Sequence, residues 1–592
     1  MPLVKDHYYI STKKSFIPVG GKRLFFLILF LLNSTSFAFS QKIIPKNYFI
    51  PPLDIKPIVS GTFGELRPDH FHSGLDFATQ NKTGFNVYCI ADGYVSRIKV
   101  AAGGYGKVIY ITHPNGYVSV YAHLGEFNVV VEDYVRRKQY EKKSFEIELF
   151  PNPSLFPFKK GDIVGYSGNS GSSSGAHLHF EIRSEITEHP INPRLFGYSI
   201  PDETCPGIFA VYLYPKSTGS SVDKRKQKVC LTVEKKGSSF QLARKDTLKV
   251  SGGISFGVES YDQQYSYGKN GIYSLEILID SIPFYKISFD SIDFSDGRYI
   301  NALIDYPEYV ASRKRIIQTY ISRGNRLNLY AYGDNRGIYF FTDTLLHTVT
   351  VIASDFNKNA SSVSFPVRSV PPADTEPQTP ESALPLFRFG LKNHFENKNI
   401  ILELPATALY DSLYFEYDVK PRTTNTFSGI YQVHNPYTPL HAAATLMIKP
   451  DSIPGDTVFS KLTLARVNGN FFSYVKSKQT AGYLSAKIHQ FGNYTIVADT
   501  TAPVIKPIGI PKDKKIISGA TISFKITDNF SGIETYTLTI NGEWVLAEFD
   551  LKNNLLTYKA DPQHFLPGKN NLKLKVTDKL HNKTEYTSTL LF

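Results

Sequence analysis

Two histidines stand one residue apart in the stretch GAHLHFEI, residues 175–182. The stretch has a strand-like composition, and residues i and i+2 of a strand point to the same face. His177 and His179 would therefore present both imidazoles on one side, whereas Leu178 and Phe180 would face the other. Paired imidazoles are poor core material but good metal ligands or acid–base groups. For this fragment alone, a strand with two unrelated surface histidines is the plainer interpretation.

A second motif, HFHSGLDFAT, places His72 and Asp76 four residues apart, on one face of an extended segment. A third element, GYVSVYAHLG, ends a strand at His123 and is predicted to be the second arm of a hairpin whose turn is HPNG, residues 113–116. A catalytic zinc site takes three protein ligands and keeps one position open. Two histidines and an aspartate supply such a set, and the remaining histidines could serve the reaction.

The motifs HSGLD, YAHL and SGAHLHFEI, in that order, resemble those of the lysostaphin/LytM-type zinc metallopeptidases, which cut peptidoglycan cross-bridges. NVYCIADGYVSRI and GDIVGYSGNSG also fit the glycine-rich β core of that family. The opening GTFGELRPDHFHSGLD resembles the forms found in Bacteroidetes-type bacteria. The resemblance covers residues 57–200, about a quarter of the chain. The combined motifs are specific, whereas HxxxD alone would be weak.

Carried over position by position, the resemblance implies that His72, Asp76 and His179 hold one zinc ion. It also implies that His123 and His177 are the catalytic histidines. Zinc lowers the pKa of bound water to about 7, which makes hydroxide available at neutral pH. The sequence has no HExxH glutamate base. A histidine, with a reference pKa near ~6.5, is suited to orienting that water or shuttling its proton.

Arg67 and His70 are further candidates, as contacts to the substrate. Arg67 could hold a substrate carboxylate, or it could form a structural ion pair. His70 lies two residues before His72 and could be a substitute ligand, a substrate contact or a solvated loop residue. The sequence leaves these alternatives open.

The composition predicts several β-rich domains. At 592 residues the chain is too long for one domain. Aromatic residues, mostly Tyr and Phe, make up 14% of it, which favours strands. Short alternating runs bounded by Gly, Asn, Asp and Pro recur along the chain. The predicted class is therefore all-β, with an antiparallel metallopeptidase domain followed by several β-sandwich, immunoglobulin-like modules.

The charge balance excludes little except nucleic-acid binding. With 66 basic and 53 acidic residues, the net charge is +13. This mild excess is compatible with an anionic polymer such as peptidoglycan or with ordinary surface charge. No concentrated basic stripe favours nucleic acid.

The N-terminus has the pattern of a secretory signal peptide, residues 1–40. Lys22 and Arg23 precede the apolar run LFFLILFLL, and small residues follow at Ala38 and Ser40. The run is shorter than the about 20 residues of a membrane span. We therefore expect an exported protein, periplasmic or secreted, with no stable membrane span after cleavage.

The three cysteines do not suggest a metal site. Cys89 lies in a predicted core strand, where a thiol is usually inert. Cys205 and Cys230 could form a disulfide in an oxidising compartment, or both could stay free.

Composition shifts and turn-rich stretches divide the chain into segments. In chain order, these are a signal peptide 1–40, an extended segment 41–56, a zinc metallopeptidase domain 57–203 with an insertion 126–158, an immunoglobulin-like sandwich 204–370 with an insertion around 283–340, a Pro-rich linker 371–385, a β-rich domain 386–498 and an immunoglobulin-like sandwich 499–592.

The two immunoglobulin-like modules are predicted from an internal repeat. GIYSLEILID, which begins at Gly271, aligns with GIETYTLTIN in the C-terminal segment. Further on, Asp355 and Asn359 match Asp578 and Asn582 at the same spacing. Each pair is predicted to lie in the turn between two late strands of a sandwich.

The predicted function is that of a secreted zinc-dependent endopeptidase that hydrolyses peptide cross-links of peptidoglycan. The alternatives are a non-enzymatic cell-wall binder or hydrolase activator on the same scaffold, and a secreted peptidase of non-wall proteins. The insertion 126–158 follows His123 and should lie near the cleft, where it could shape the groove or be a solvated excursion. We expect the metal centre to need nothing beyond residue 203, with the linker 371–385 spacing the modules rather than packing them.

Overall fold

Strands dominate the computed structural model of the protein, and α-helices are few and short in the residues that it describes. The all-β class is therefore confirmed. The predicted signal peptide 1–40 and residues 372–383 of the predicted linker lie outside the described residues. No described helix has the length and hydropathy needed to cross a membrane. The structure describes residues 44–237, 239–264, 268–371, 384–452 and 455–592.

The N-terminal domain, residues 45–203, is an antiparallel β structure with one α-helix. Its main sheet has the strand order β1-β2-β11-β6-β5-β4-β8, and a small second sheet has the order β3-β10-β7. The elements are β1 (Val59–Gly61), β2 (Leu75–Ala78), β3 (Asn86–Tyr88), β4 (Gly93–Val100), β5 (Lys107–His113), β6 (Tyr117–Leu124), β7 (Glu126–Phe127), α1 (Val129–Lys142), β8 (Ile147–Leu149), β9 (Pro157–Phe158), β10 (Ile163–Tyr166), β11 (His177–Ser184) and β12 (Pro190–Ile191).

Strand β11 lies between β2 and β6, so that the candidate site residues of the three motifs come close together. His179 is directly opposite Asp76 on β2 and Ala122 on β6. Directly opposed residues of an antiparallel pair project to the same face. The alternate residues Leu178 and Phe180 project to the other face and are fully buried in the core. The period-2 pattern of GAHLHFEI therefore fixes which side chains reach the site.

The predicted hairpin is confirmed, because β5 and β6 pair antiparallel around the turn 114–116. Its register shifts between Lys107 and Ile109, so that Ala122 and His123 lie opposite a single residue of β5. Such a bulge re-aims the extra side chain. The backbone of His123 has a φ of 59°, in the left-handed region that few residues adopt.

The predicted insertion 126–158 contains a regular helix, α1. Asn128 caps its N-terminus, and Lys143 ends it in the left-handed conformation. Val131 and Val135 are fully buried on its inner face. The segment is therefore a packed part of the domain.

The first sandwich, residues 204–370, has one large sheet of order β16-β15-β13-β17-β24-β23-β18-β19-β21, with β14, β20 and β22 also pairing with β17. Two short helices and three short strands lie between β19 and β23, in the region of the predicted insertion. The elements are β13 (Gly207–Pro215), β14 (Ser221–Val222), β15 (Val229–Lys236), β16 (Ser239–Leu242), β17 (Leu248–Tyr261), β18 (Ser274–Ile279), β19 (Ile282–Ser288), α2 (Ile300–Leu303), α3 (Tyr306–Ser312), β20 (Ile316–Gln318), β21 (Tyr330–Gly333), β22 (Tyr339–Phe341), β23 (Leu346–Ser354) and β24 (Ala360–Ser369).

The cysteines form no disulfide. Cys205 and Cys230 are free and exposed, so the unpaired alternative holds. Cys89 is buried in the core as expected, and burial raises the pKa of its thiol to about 12. A thiol with so high a pKa is unreactive at neutral pH.

The middle sandwich, residues 385–499, packs two five-stranded sheets of order β26-β27-β31-β35-β34 and β29-β30-β36-β32-β33 around one apolar core. Its elements are β25 (Leu386–Phe387), β26 (Asn393–Asn397), β27 (Ile400–Leu404), β28 (Leu413–Tyr414), β29 (Tyr417–Lys420), β30 (Ile430–Val433), β31 (Pro439–Ile448), α4 (Asp456–Phe459), β32 (Leu462–Asn468), β33 (Phe471–Val475), β34 (Ser477–Thr480), β35 (Tyr483–Gln490) and β36 (Gly492–Ala498).

The C-terminal sandwich, residues 500–592, packs two four-stranded sheets of order β37-β38-β42-β41 and β40-β39-β43-β44. Its elements are β37 (Val504–Pro507), β38 (Thr521–Thr527), β39 (Ile533–Ile540), β40 (Glu543–Trp544), β41 (Glu548–Asp550), β42 (Leu555–Lys559), β43 (Lys569–Asp578) and β44 (Lys583–Leu591).

The C-terminal sandwich packs against the N-terminal domain, which differs from the expected spacing of the modules. Arg136 on α1 forms an ion pair of 2.7 Å with Asp561. The ring of Tyr140 stacks on His564 at 5.4 Å between centroids. A charged and aromatic face of α1, at the surface of the predicted insertion, is thus covered by the last module of the chain.

Candidate metal centre

Three side chains from two neighbouring strands and the loop before them converge on one point. His72 Nε2 lies 3.0 Å from both Asp76 Oδ1 and His179 Nδ1. His179 Nδ1 lies 2.9 Å from Asp76 Oδ1. The three residues are buried. The structure therefore brings together the three residues predicted as ligands, and their role as ligands stays a prediction.

The backbone fixes which nitrogen of His72 is available. His72 Nδ1 lies 2.8 Å from the carbonyl oxygen of Thr62. A carbonyl oxygen only accepts hydrogen bonds, so Nδ1 carries the proton and donates it. His72 Nε2 is then left with a lone pair that points at Asp76 and His179. This is the tautomer that a metal ligand needs.

In His179 the two ring nitrogens have the opposite roles from those in His72. Its Nε2 donates to Glu181 Oε1 over 2.8 Å, which leaves Nδ1 for the centre. Glu181 is fully buried and also accepts hydrogen bonds from Ser73 and from Arg183, the latter at 2.6 Å from Nε. Burial raises the pKa of Glu181, but Arg183 and His179 outweigh it and hold the pKa well below its usual range. A carboxylate behind a histidine orients it and makes it a better ligand.

Asp76 is held from both sides. Its Oδ1 faces the two histidines, and its Oδ2 accepts a hydrogen bond of 3.1 Å from Arg67 Nη2. Burial raises the pKa of Asp76, but the surrounding histidines, led by His72, bring it well below its usual range. Position 61 must be glycine, because a Cβ on Gly61 would lie 2.3 Å from Asp76 Oδ2. Arg67 thus forms the structural ion pair that the sequence offered as one alternative.

His123 and His177 stand beside the three converging residues. His123 Nδ1 donates to the carbonyl of Ser170 over 2.9 Å, and His177 Nδ1 donates to that of Gly175 over 2.8 Å. Each ring is therefore left with Nε2 as its free atom, and the two rings lie 4.9 Å apart between centroids. Burial and the neighbouring His179 and His177 lower the pKa of His123 to about 3, so it is neutral at physiological pH.

A cleft of about 730 Å³ opens over these residues, and two domains line it. His70 is exposed at the rim, with its Nδ1 2.7 Å from Asp69 Oδ1. From the first sandwich, residues 292–294 and Gly297 line the opposite wall. None of the described lining residues comes from the insertion 126–158, which speaks against the alternative in which the insertion shapes the groove. The three converging residues all precede residue 203, as expected for the metal centre, whereas the first sandwich supplies a wall of the cleft that was not expected.

The donor set fits zinc. Zinc binds imidazole nitrogen and carboxylate oxygen at about 2.0–2.2 Å, and tetrahedral donors at that distance lie roughly 3.3 Å apart. The separations of 2.9–3.0 Å between the three donor atoms need only a small expansion to reach this value. With three protein ligands, one position remains open towards the cleft, as catalytic zinc sites require.

Sequence analysis missed the residues that hold the three converging side chains in place. Glu181 was detectable, since it stands two residues after His179 in the same strand and therefore shares its face. The carbonyl groups of Thr62 and Ser170 carry no side-chain pattern, and only the folded backbone shows their role.

Two parts of the chain match known families. Residues 70–140 match the model of Peptidase family M23, and residues 385–499 match that of a Zu5-like domain. The chain is similar to DD-carboxypeptidase/endopeptidase Mpg of Neisseria meningitidis serogroup B, at 32% identity over 160 residues, which cover 26% of this chain and 30% of Mpg. It is also similar to Peptidoglycan DD-endopeptidase ShyA of Vibrio cholerae, at 30% identity over 149 residues, which cover 24% of this chain and 28% of ShyA.

Among solved structures, the catalytic domain of the antimicrobial peptidase lysostaphin from Staphylococcus simulans matches at 24% identity with a TM-score of 0.16, over 22% of this chain and 81% of that one. The chain spans less than a third of the length of the curated relatives named above. The match to Peptidase family M23 spans His72, Asp76 and His123 and ends before His177 and His179. The chain therefore carries a domain of peptidase family M23, as the resemblance of its motifs to the LytM-type metallopeptidases implied.

Proposed function

We propose that the protein is a zinc-dependent endopeptidase that hydrolyses peptide cross-links of peptidoglycan outside the cytoplasm. The observation that carries this proposal is the convergence of His72, Asp76 and His179 at the floor of an open cleft, with two further histidines beside them. The peptidoglycan substrate is supported by the names of the related Mpg and ShyA enzymes. Export is supported by the signal-peptide pattern of residues 1–40.

In this proposal His72, Asp76 and His179 hold one zinc ion. Zinc supplies a Lewis acid for the scissile carbonyl and a water that is acidic enough to attack at neutral pH. Arg67 and Glu181 keep two of the ligands in position, since each forms a hydrogen bond to the far side of its ligand. These anchors limit the reorganisation that the ligands need.

His123 and His177 are proposed to handle protons and developing charge. His123 is neutral at physiological pH, so its Nε2 can accept a proton from the attacking water and return it to the leaving amine. His177 Nε2 lies 3.4 Å from Asp76 Oδ1 and lines the same cleft, where the ring in its doubly protonated form can donate from Nε2 to the oxygen of the scissile carbonyl. Both rings are locked by their Nδ1 hydrogen bonds, which preorganises them.

The cleft suits an extended peptide. Its volume of about 730 Å³ is that of a site for several residues of a peptide. A serine-rich loop, residues 172–174, lines one side, and the aromatic Phe294 lines the other. A stem peptide with small side chains would make backbone hydrogen bonds to the polar side and rest on the apolar one. The basic balance of the chain favours an anionic polymer as substrate.

Digestion of purified peptidoglycan by the mature chain, followed by mass analysis of the products, tests the proposal. We expect the conversion of cross-linked muropeptides into monomers, its loss on zinc removal and its return on zinc addition. Binding to sacculi without any cleavage would instead indicate a cell-wall binder or hydrolase activator. Cleavage of glycine-rich proteins but not of muropeptides would indicate a peptidase of non-wall proteins.

A further inference from the structure

Three aspartates meet where the N-terminal domain joins the first sandwich. Asp202 lies in the connection between the two domains, Asp262 directly follows β17, and Asp355 directly follows β23. One carboxylate oxygen of each lies within 4.8 Å of the others. Asp262 and Asp355 are buried, at 4% and 5% exposed. The junction therefore concentrates three acidic groups away from solvent.

Two buried oxygen atoms at this junction have no hydrogen-bond partner among the described residues. They are Oδ1 of Asp262 and Oδ1 of Asn270, whose residue is 2% exposed. Both residues line a small cavity of about 30 Å³ that Asp202 and Asp355 also line. Leaving a buried carboxylate oxygen without a partner is strongly unfavourable, because the group has lost its water and gained nothing in return. A cavity of this size holds one ion or one water molecule.

The local charge identifies what would fill the cavity. Arg194 is the cation at the cavity wall, but its Nη2 bonds to the carbonyl of Ile200 and to Asn357 Oδ1. No Arg194 nitrogen lies within ion-pair distance of the three carboxylates in the described structure. Three carboxylates and one guanidinium leave two negative charges. A divalent cation would balance them, whereas a water molecule would not.

The donor atoms favour calcium over zinc or magnesium. The cavity offers carboxylate and amide oxygens, and neither histidine nor cysteine lines it. Calcium takes 6–8 oxygen ligands with flexible geometry, as about 2.3–2.6 Å contacts. The Asp355 carboxylate already accepts from the backbone and side chain of Asn359, at 2.8 and 2.7 Å, which fixes its orientation. Each of its oxygens keeps a second lone pair for a metal.

We propose that Asp202, Asp262 and Asp355, together with the amide oxygen of Asn270, bind one calcium ion that fastens the first sandwich to the N-terminal domain. The proposal is independent of the peptidase function, because it concerns a separate set of residues.

The position of the cluster gives the ion a structural role. Asn270 Nδ2 donates to the carbonyl of Val59 over 3.3 Å, and Val59 N donates to Gln264 over 2.9 Å. Val59 begins β1, which pairs with β2, and β2 carries Asp76. An ion that holds Asp262 and Asn270 in place would therefore steady the edge of the sheet that holds the metal centre.

A similar cluster in the C-terminal sandwich provides a matched control. It consists of Asp499, Asp528 and Asp578. Asn582 Nδ2 donates to the carbonyl of Asp499 over 2.9 Å, as Asn359 Nδ2 does to that of Asp202. Here Oδ2 of Asp528 accepts two backbone N–H groups, at 2.9 and 2.8 Å, and its Oδ1 is buried without a partner, whereas the first cluster has two unpartnered oxygen atoms on residues that line one cavity. The proposal is confined to the first cluster.

Calcium titration of the zinc-loaded mature chain, after treatment with a calcium-selective chelator, tests the proposal. We compare the wild type with Asp262→Asn and Asp528→Asn by calorimetry and by thermal unfolding. Asp262→Asn is expected to bind one calcium equivalent fewer than the wild type, or to bind at least about tenfold more weakly. Asp528→Asn should keep that equivalent. In the wild type, millimolar calcium should raise the Tm by a few degrees, since a ligand of the folded state stabilises it.

Equal calcium binding by the wild type and Asp262→Asn would overturn the proposal. So would the absence of any binding at millimolar calcium, in which case Asp262 is held by a proton; burial and the neighbouring Asp202 and Asp355 raise its pKa to about 7. Zinc content and circular dichroism show whether Asp262→Asn is folded. If it is not, the half-buried Asp202→Asn, which removes one ligand charge, replaces it with the same expected loss.

Discussion

His179 directs its two ring nitrogens to different partners, and the surrounding residues enforce this. Nδ1 faces Asp76 and His72, and Nε2 is bound to Glu181, which is itself held by Arg183. Because Glu181 is fully buried and ionised, any other rotamer of His179 would remove one of the donors to its carboxylate and leave only those from its other neighbours, such as Ser73 and Arg183. The orientation of His179, a proposed ligand, thus depends on a carboxylate that is not one of the three converging side chains.

Glu181→Gln is expected to lower zinc affinity by about 10–100-fold, because it removes the charge that orients His179. Competition with a calibrated chelator measures the affinity directly. Glu185→Gln, an exposed glutamate four residues further on, is the matched control and should retain wild-type affinity. Unchanged affinity in Glu181→Gln would mean that the sheet alone positions His179.

The variants Asp76→Ala and His123→Ala should distinguish a metal ligand, whose loss releases zinc, from a catalytic residue, whose loss lowers kcat. Asp76→Ala removes a charged member of the converging triad and should abolish zinc retention. His123→Ala should keep one zinc per chain and lose about 10²–10⁴-fold in kcat, the usual contribution of a general acid–base group. Metal analysis after gel filtration gives the zinc content per chain, and steady-state kinetics give kcat. Equal loss of metal in both variants would show that His123 is itself a ligand.

At the scale of elements, His123 shows where strand periodicity stops being informative. Strict alternation along β6 would send His123 and Ala122 to opposite faces. The bulge opposite β5 and the φ of 59° at His123 redirect its ring towards His177. A bulge leaves no signature in a single sequence. The period-2 pattern therefore predicted the shared face of His177 and His179, while the place of His123 in the site came from the resemblance.

One wall of the cleft comes from an element whose position near the site no sequence pattern predicted. A 3₁₀ turn, Phe294–Tyr299, lies in the insertion of the first sandwich, and Phe294 reaches over Arg183 with 4.5 Å from guanidinium to ring. Phe294 is 49% exposed and lines the cleft. The contact joins residues more than a hundred positions apart. Neither composition nor periodicity encodes such a pairing.

Phe294→Ala is expected to raise KM for a soluble muropeptide about fivefold, with kcat within about twofold and zinc content unchanged. The reason is that an exposed ring which only contacts substrate contributes roughly 1 kcal/mol of binding, equally in ground and transition states. Phe471→Ala, an exposed ring of the middle sandwich, serves as the control. A fall in kcat with unchanged KM would indicate that Phe294 helps position the reacting bond.

At the scale of the whole molecule, the last domain of the chain packs against the first. Residues 45–592 form one compact unit, and the C-terminal sandwich covers α1 and the loops beside the cleft. Lys552 Nζ donates to the carbonyl of Asn169, and it lies 3.4 Å from the carbonyl of Gly171. Sequence analysis predicted separate modules spaced by a linker. It could not predict this packing, because contacts between residues almost four hundred positions apart leave no local pattern in the sequence.

The loop that Lys552 holds is the one that positions a catalytic candidate. Ser170 stands between Asn169 and Gly171, and its carbonyl accepts the Nδ1 hydrogen bond of His123. A cation on the two flanking carbonyls restrains the loop and hence the direction of His123 Nε2. The C-terminal sandwich is therefore expected to affect turnover, and not merely the delivery of the enzyme to its polymer.

Lys552→Gln in the full mature chain tests this coupling, with a soluble muropeptide as substrate so that binding to the wall plays no part. The loop should lose its restraint, and kcat should fall about threefold to tenfold, since a lost hydrogen bond of a charged group is worth roughly 1 kcal/mol or more. Zinc content should not change, because His123 is not among the three converging residues. Lys559→Gln, an exposed lysine of the same sandwich, should behave as the wild type. Wild-type kcat in Lys552→Gln would mean that the loop holds His123 without help from the C-terminal sandwich.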